Sequence, residues 1–166
     1  MTCFVTVGTT RFDELVAAVV APDVLDFLHD NLGISHLLVQ HGYGPAPPKT
    51  AHRAVRVEAF DFKPALKNEM SRADLIISHA GAGSLIESLR LKKRTVAVVN
   101  PSLMDNHQQE LAAALFQRGY LVAAVASPAV LIETLRSANV NAKLTEYPDR
   151  DPRAFASLMD QEMGFR

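Results

Sequence analysis

The sequence has a single cysteine, Cys3, and no cysteine–histidine cluster at the spacing of a zinc site. One thiol cannot close an internal disulfide, which fits a reducing, cytosolic compartment. Charge of neither sign is in excess. With 17 basic and 18 acidic residues the formal net charge is −1, which argues against a protein held to nucleic acid by phosphate contacts. No apolar run approaches the roughly 20 residues needed to cross a bilayer. The opening stretch MTCFVTVGTTRFDELV lacks the basic flank of a secretory leader, and Arg11, Asp13 and Glu14 interrupt its apolar run. Internal repeats and low-complexity segments are also missing. What is present is 166 residues, 48% hydrophobic and 21% charged, the composition of one globular domain large enough to bury a core.

Strand and helix signals alternate along the chain. CFVTV is a β-rich run ending at Gly8, and RFDELVAAVV has helical spacing at Phe12, Leu15, Val16 and Val19. Pro22 and Asp23 open a second helix that stops near Gly33. SHLLVQ reads as a strand, followed by the loop HGYGPAPPKT, dense in glycine and proline. AVRVEAF alternates as a strand and KPALKNEMSR reads as a short helix. After the LIISH strand and its helix comes TVAVVN as a strand, then a helix over about 106–118 closed by Gly119. YLVAAV is the last strand, and Pro128 starts a helix through about Ser137. This alternation predicts an α/β fold: a single Rossmann-like, doubly wound parallel sheet over residues 1–139. Such sheets bind ligands at the carboxyl ends of their strands, where the glycine turns at 8, 42 and 81–83 all fall. Residues 140–166 read as an extended connector and a C-terminal helix, with Phe155, Leu158, Met159 and Glu162 at helical spacing. That helix packs on its own domain or docks on a partner.

The most informative stretch is LIISHAGAGSLIESL, residues 75–89. A buried strand runs into His79, Gly81 and Gly83 permit tight backbone geometry, and Ser84 is a suitable helix N-cap with Glu87 completing a capping box. Strand, glycine turn and helix N-terminus together form an anion-holding geometry. The dinucleotide fingerprint is not met, because VGTTRF carries one glycine and SHLLVQHG ends without an acid. HAGAGS also lacks the lysine of a nucleotide P-loop.

ADLIISHAGAGSLIESL joined to NPSLMDNHQQELAAALFQRGYL resembles the nucleotide-sugar-binding half of a family of inverting, two-domain (GT-B type) glycosyltransferases. That family includes the bacterial lipid II-forming N-acetylglucosaminyltransferase. Within it, the chain is similar to the catalytic subunits of the eukaryotic UDP-N-acetylglucosamine (UDP-GlcNAc) transferase, which adds the second GlcNAc to dolichyl-diphosphate-GlcNAc. The likeness runs from FVTVGTTRFDELV through FDF and both central motifs to the tail.

The resemblance implies roles for individual residues. Gly8, Thr9 and Thr10 would hold the diphosphate; their other reading is a plain strand-to-helix turn. His79, Gly81, Gly83 and Ser84 would shape the second turn, with the helix N-terminus facing the sugar phosphate and Ser84 also free to cap. Glu87 would take the ribose hydroxyls, since a carboxylate accepts two vicinal O–H donors well, or it serves the capping box. Asn106, His107 and Gln108 would read the GlcNAc hydroxyls, unless Asn106 simply caps its helix; Gln109 and Glu110 share that turn. Phe62 and Lys63 sit where the family holds uracil, although Phe62 also suits the core. Surface or core roles fit His29, His36 and His52, while His41 borders the expected cleft.

No D-x-D-like pair is present, MDN offering only Asp105, so no metal site, no essential Mg²⁺ and no cofactor is expected. The chain has length for one of the two domains, and the resemblance implies that the acceptor half, with any general base, lies on a separate membrane-anchored partner subunit. The resulting heterodimer would act on a lipid-linked GlcNAc-diphosphate at the cytosolic face of the endoplasmic reticulum. A non-catalytic sugar-nucleotide-binding or scaffold subunit, or half of a split polysaccharide transferase using another UDP-sugar, are the alternatives.

Overall fold

A computed structural model describes residues 1–49, 51–100, 106–137 and 145–148. The elements follow as β1 (Thr2–Thr6), α1 (Asp13–Val19), α2 (Pro22–Leu32), β2 (His36–Gln40), β3 (Arg56–Phe60), α3 (Lys67–Arg72), β4 (Leu75–His79), α4 (Ala82–Arg90), β5 (Arg94–Val99), α5 (Asn106–Gln117), β6 (Val122–Val125) and α6 (Pro128–Ser137). All six strands are parallel, in the order β3-β2-β1-β4-β5-β6. This is the doubly wound Rossmann-type sheet expected from the alternation of elements. The order reverses between β1 and β4, where Val5 is in register with Val39 on one side and Ile77 on the other.

The strands are apolar throughout because both faces of a parallel sheet are covered. Side chains alternate between two layers. Cys3 and Val5 of β1, Leu75 and Ile77 of β4, and Val96 and Val98 of β5 pack with Leu15 and Val19 of α1, Leu25 and Leu28 of α2, and Leu131 and Leu135 of α6. Phe4 and Ile76 turn the other way, onto Met70 of α3, and Ala97 onto Leu85 and Leu89 of α4 and Leu115 of α5. Each fully buried Leu, Ile or Phe contributes about 1.5–3 kcal/mol, so this double coverage is what holds the sheet.

The helix ends follow local chemistry. Pro22 opens α2, and Gly33, at φ +66°, ends it with its N–H on His29 O at 3.0 Å. Gly119, at φ +71°, follows α5. Residues 145–148 return to the body: Thr145 N–H donates to Gly119 O at 3.0 Å, Tyr147 meets Tyr120 edge-on at 5.3 Å, and Glu146 pairs with Lys92 at 2.6 Å. The expected C-terminal helix and Asp105 lie outside the described residues. Among the described residues no helix is long and apolar enough to cross a membrane.

Candidate functional site

The site lies at the carboxyl ends of β1 and β4, the point at which strand order reverses and ligands of such sheets bind. The turn after β1 is a closed hydrogen-bonded unit. Gly8, at φ +63°, donates its N–H to Gln40 Oε1 at 3.0 Å and Thr6 Oγ1 at 3.1 Å. Thr10 donates both its N–H (3.2 Å) and its hydroxyl (2.7 Å) to Val7 O. Of the three residues assigned to a diphosphate there, Thr9 alone keeps N–H and hydroxyl unengaged among the described residues.

His79 ends β4 and lies half-buried against this turn. Its Nδ1 is 3.3 Å from Thr6 O. A carbonyl only accepts, so Nδ1 carries the hydrogen and the neutral ring keeps its lone pair on Nε2. Burial holds the imidazole below its ordinary pKa of 6.5, with the Thr6 carbonyl opposing that shift. The ring packs against both glycine turns. A Cβ on Gly8 would stand 2.6 Å from His79 Cε1, and one on Gly81 would collide with Nε2.

Helix α4 starts at Ala82, two residues before the position expected from Ser84. Gly81 is the flanking residue, extended at φ −73° and ψ 128°, and no side chain caps the helix. The N-cap role for Ser84 and the capping box with Glu87 are therefore corrected. The S-x-x-E signal is local, whereas the helix start is set by the turn that places His79 under Gly8 and Gly81. Leu85 N–H closes the first turn on Gly81 O at 3.1 Å, leaving the N–H groups of Ala82, Gly83 and Ser84 without partners among the described residues. A Cβ on Gly83 would meet nothing within 4 Å. Glu87 lies one turn further on and is half-buried; its carbonyl accepts from Leu91 N–H, but its carboxylate makes no hydrogen bond or ion pair among the described residues. Uncapped N–H groups can hold an anion, the glycine leaves space for it, and the unspent carboxylate can accept hydroxyl donors.

Asn106, His107 and Gln108 form the first turn of α5, after the neighbouring strand β5, so the backbone brings them to the same edge of the sheet. Their side chains lie outside the described residues. Phe62 is not a core residue, which corrects that alternative: it is 36% exposed and stacks on Tyr43, itself 71% exposed, at 5.5 Å between centroids. Lys63 pairs with Glu69 at 2.5 Å and lies 5.3 Å over the Phe60 ring. Its ammonium holds the Glu69 carboxyl below the usual range. Three other histidines have structural partners, Glu58 for His36, Gly44 O for His41 and Asp26 for His52, whereas the buried Nδ1 of His29 has no hydrogen-bond partner among the described residues. Among the described residues no group of three His, Cys, Asp or Glu side chains is placed to hold a metal.

Sequence reading passed over Gln40 and Tyr43. Both stand beside the Gly42 turn, but Gln40 reads as the polar end of a strand and its partners lie more than thirty residues away.

The fold is a Rossmann-type parallel domain with its candidate site at the switch point, and sequence comparison gives it a family. The pattern of the Glycosyltransferase family 28 C-terminal domain matches residues 2–161, so the chain belongs to that family. Its particular relatives include UDP-N-acetylglucosamine transferase subunit ALG13 of Mus musculus, 50% identical over 119 residues, covering 71% of this chain and 10% of that protein. The same-named protein of Yarrowia lipolytica is 41% identical, covering 69% of this chain and 60% of that protein. That of Cryptococcus neoformans is 31% identical, with 99% and 97% covered. The chain thus spans a small part of the mouse relative and nearly all of the Cryptococcus one. An NMR structure of ALG13 superposes with a TM-score of 0.67 at 28% identity, covering 95% of this chain and 94% of that one. MurG of Acinetobacter baumannii shares the fold, with a TM-score of 0.68 at 20% identity over 98% of this chain and 50% of MurG. The chain therefore has the architecture of one half of a two-domain glycosyltransferase.

Proposed function

We propose that this chain is the donor-binding catalytic subunit of a UDP-GlcNAc-dependent glycosyltransferase, passing GlcNAc with inversion to a GlcNAc-diphosphate-dolichol acceptor on the cytosolic face of the endoplasmic reticulum membrane. The observation that carries the reading is the uncapped N-terminus of α4 beside Gly83, with Glu87 one turn away. Membership of a glycosyltransferase family and relatives named as UDP-N-acetylglucosamine transferase subunits support the donor.

In this reading the N–H groups of Ala82, Gly83 and Ser84 hold the diphosphate, with Thr9 contributing from the neighbouring turn. Glu87 accepts the ribose hydroxyls, and the first turn of α5, with Asn106, His107 and Gln108, reads the sugar. Phe62 and its stacked partner Tyr43 lie at the carboxyl ends of β3 and β2, on the side assigned to uracil. The acceptor hydroxyl attacks C1 as the C1–O bond to the diphosphate breaks. The bonding pair stays on that oxygen, and oriented N–H donors stabilise the growing charge. The hydroxyl proton passes to a base on a membrane-anchored partner subunit, which also holds the acceptor. Residues 151–166 help to hold that partner. No divalent metal is required.

The test is transfer of labelled GlcNAc from UDP-GlcNAc to a GlcNAc-diphosphate-lipid, with the chain alone and with a membrane-anchored partner subunit. Activity in the mixture only, persisting in EDTA, is the expected result. UDP-GlcNAc binding with silence in both assays would reduce the chain to a sugar-nucleotide-binding protein. Complex formation that survives deletion of 151–166 would remove the docking role of the tail.

A further inference from the structure

Gln40 is the last residue of β2 and is fully buried. A buried carboxamide is unfavourable unless its donors and acceptor are paired, and here they are paired with one short segment. Oε1 accepts from Thr6 Oγ1 at 2.6 Å, Val7 N–H at 3.2 Å and Gly8 N–H at 3.0 Å, while Nε2 donates to Gly8 O at 2.8 Å. One side chain thus meets both backbone groups of Gly8. Strand pairing does not need it, because β1 and β2 are already joined in register over Thr2–Thr6 and His36–Gln40 by their backbones.

Gly8 sits at φ +63°, a conformation that glycine adopts freely and leaves just as freely. The ring of His79 lies on the same glycine, and Gly42 packs so closely that a Cβ there would stand 2.6 Å from Thr10 O and 3.0 Å from Gly8 O. Shifting Gly8 would therefore disturb the seat of His79 and the backbone that carries Thr9. A turn that had to be ordered on binding would cost affinity, and fixing it beforehand removes that cost.

We propose that Gln40 is a positioning residue for the donor site: its carboxamide locks the turn of Gly8 so that Thr9 and His79 stand ready for the diphosphate. This rests on the donor-site reading above. The role concerns the phosphate end of the ligand, so it is separable from a general contribution to folding. An apolar residue of similar length, as in Gln40→Met, would fill the same space and leave Gly8 O without its donor.

The experiment compares the wild-type chain with Gln40→Met, Thr6→Val and Thr6→Ser, titrated with UDP and with uridine. Amide hydrogen exchange at Gly8 is followed without ligand. The expected results for Gln40→Met are faster Gly8 exchange with β4 amides still protected, UDP affinity about tenfold weaker, and uridine affinity unchanged. Thr6→Val should weaken UDP in the same direction, and Thr6→Ser, which keeps the hydroxyl, should restore it. The Thr6 pair keeps the test open if Gln40→Met does not fold. Unchanged Gly8 exchange, or equal losses for UDP and uridine, would overturn the positioning role. A wild-type chain that binds no UDP would instead remove the donor-site reading, and the exchange data would still decide whether Gln40 holds the turn.

Discussion

His79 and Gly8 share one space: a Cβ at position 8 would lie 2.6 Å from His79 Cε1, closer than real Cβ atoms come to a neighbour. Gly8 also has φ +63°, which costs a residue with a side chain about 1–2 kcal/mol. Gly8→Ala should therefore lower stability by about 2 kcal/mol or more, once clash is added to strain. Gly81→Ala should also destabilise, by the ring clash alone, since Gly81 has ordinary dihedrals. Urea unfolding of the two variants checks this. A Gly8→Ala protein as stable as wild type would mean that the ring moves away at no cost.

Gly83 gives the opposite expectation for stability. A Cβ there meets nothing, and alanine is the better helix former by up to about 1 kcal/mol. Gly83→Ala should fold at least as well as wild type yet bind UDP about tenfold more weakly, because in the proposed donor site the added methyl stands where the diphosphate would approach the N–H groups of α4. Thermal unfolding and a UDP titration on the same sample separate the two effects. Undiminished affinity would place the diphosphate away from this turn.

The Glu87 carboxylate has no hydrogen-bond or ion-pair partner among the described residues, so its removal sacrifices no internal polar contact. Glu87→Ala should change stability by less than about 0.5 kcal/mol, as surface substitutions away from special features do. UDP binding should weaken by about 1–3 kcal/mol, the range for losing hydrogen bonds to a charged group. Calorimetric titration measures the second quantity. An unchanged dissociation constant would leave Glu87 without a ligand role.

The depressed pKa of His79 makes stability depend on pH. The folded state disfavours the protonated ring, so below the ordinary value of 6.5 the unfolded chain binds more protons than the folded one. Stability contributed by the neutral ring is complete above that value and is lost as pH falls through 6.5 towards the lowered folded pKa. Unfolding free energies should therefore rise more steeply with pH, as it climbs towards and through 6.5, in the wild type than in His79→Gln, as the linkage relation requires. Parallel slopes in the two proteins would show that His79 titrates in the fold as it does in the unfolded chain.

Much of this architecture was legible in the sequence because it is written in local patterns. LIISH, CFVTV and TVAVVN are buried on both faces and so read as unbroken apolar runs, and Pro22, Gly33 and Gly119 mark helix ends by their own conformational limits. The start of α4 was misread for the complementary reason. Ser84 and Glu87 form a local capping signal, but the turn is governed by a ring packed under Gly8, seventy-one positions earlier in the chain. Gln40 and the Tyr43–Phe62 stack are contacts between segments far apart in sequence, and neither residue type announces such a partner. The carboxyl-end location of the glycine turns needed only topology, and it was available from alternation alone.

The central position of β1 has a consequence for how the protein is made. β1 takes neighbours on both edges, β2 on one side and β4 on the other. Translation supplies β2 by residue 40, but the other edge stays open until residue 79, almost halfway through the 166-residue chain. During that interval a nascent chain carries an unpaired edge at Cys3, Phe4 and Val5, all fully buried at the end, and open apolar edges recruit foreign strands. A premature stop before Leu75 would make that exposure permanent, so truncated products are expected to be sticky fragments rather than small stable domains.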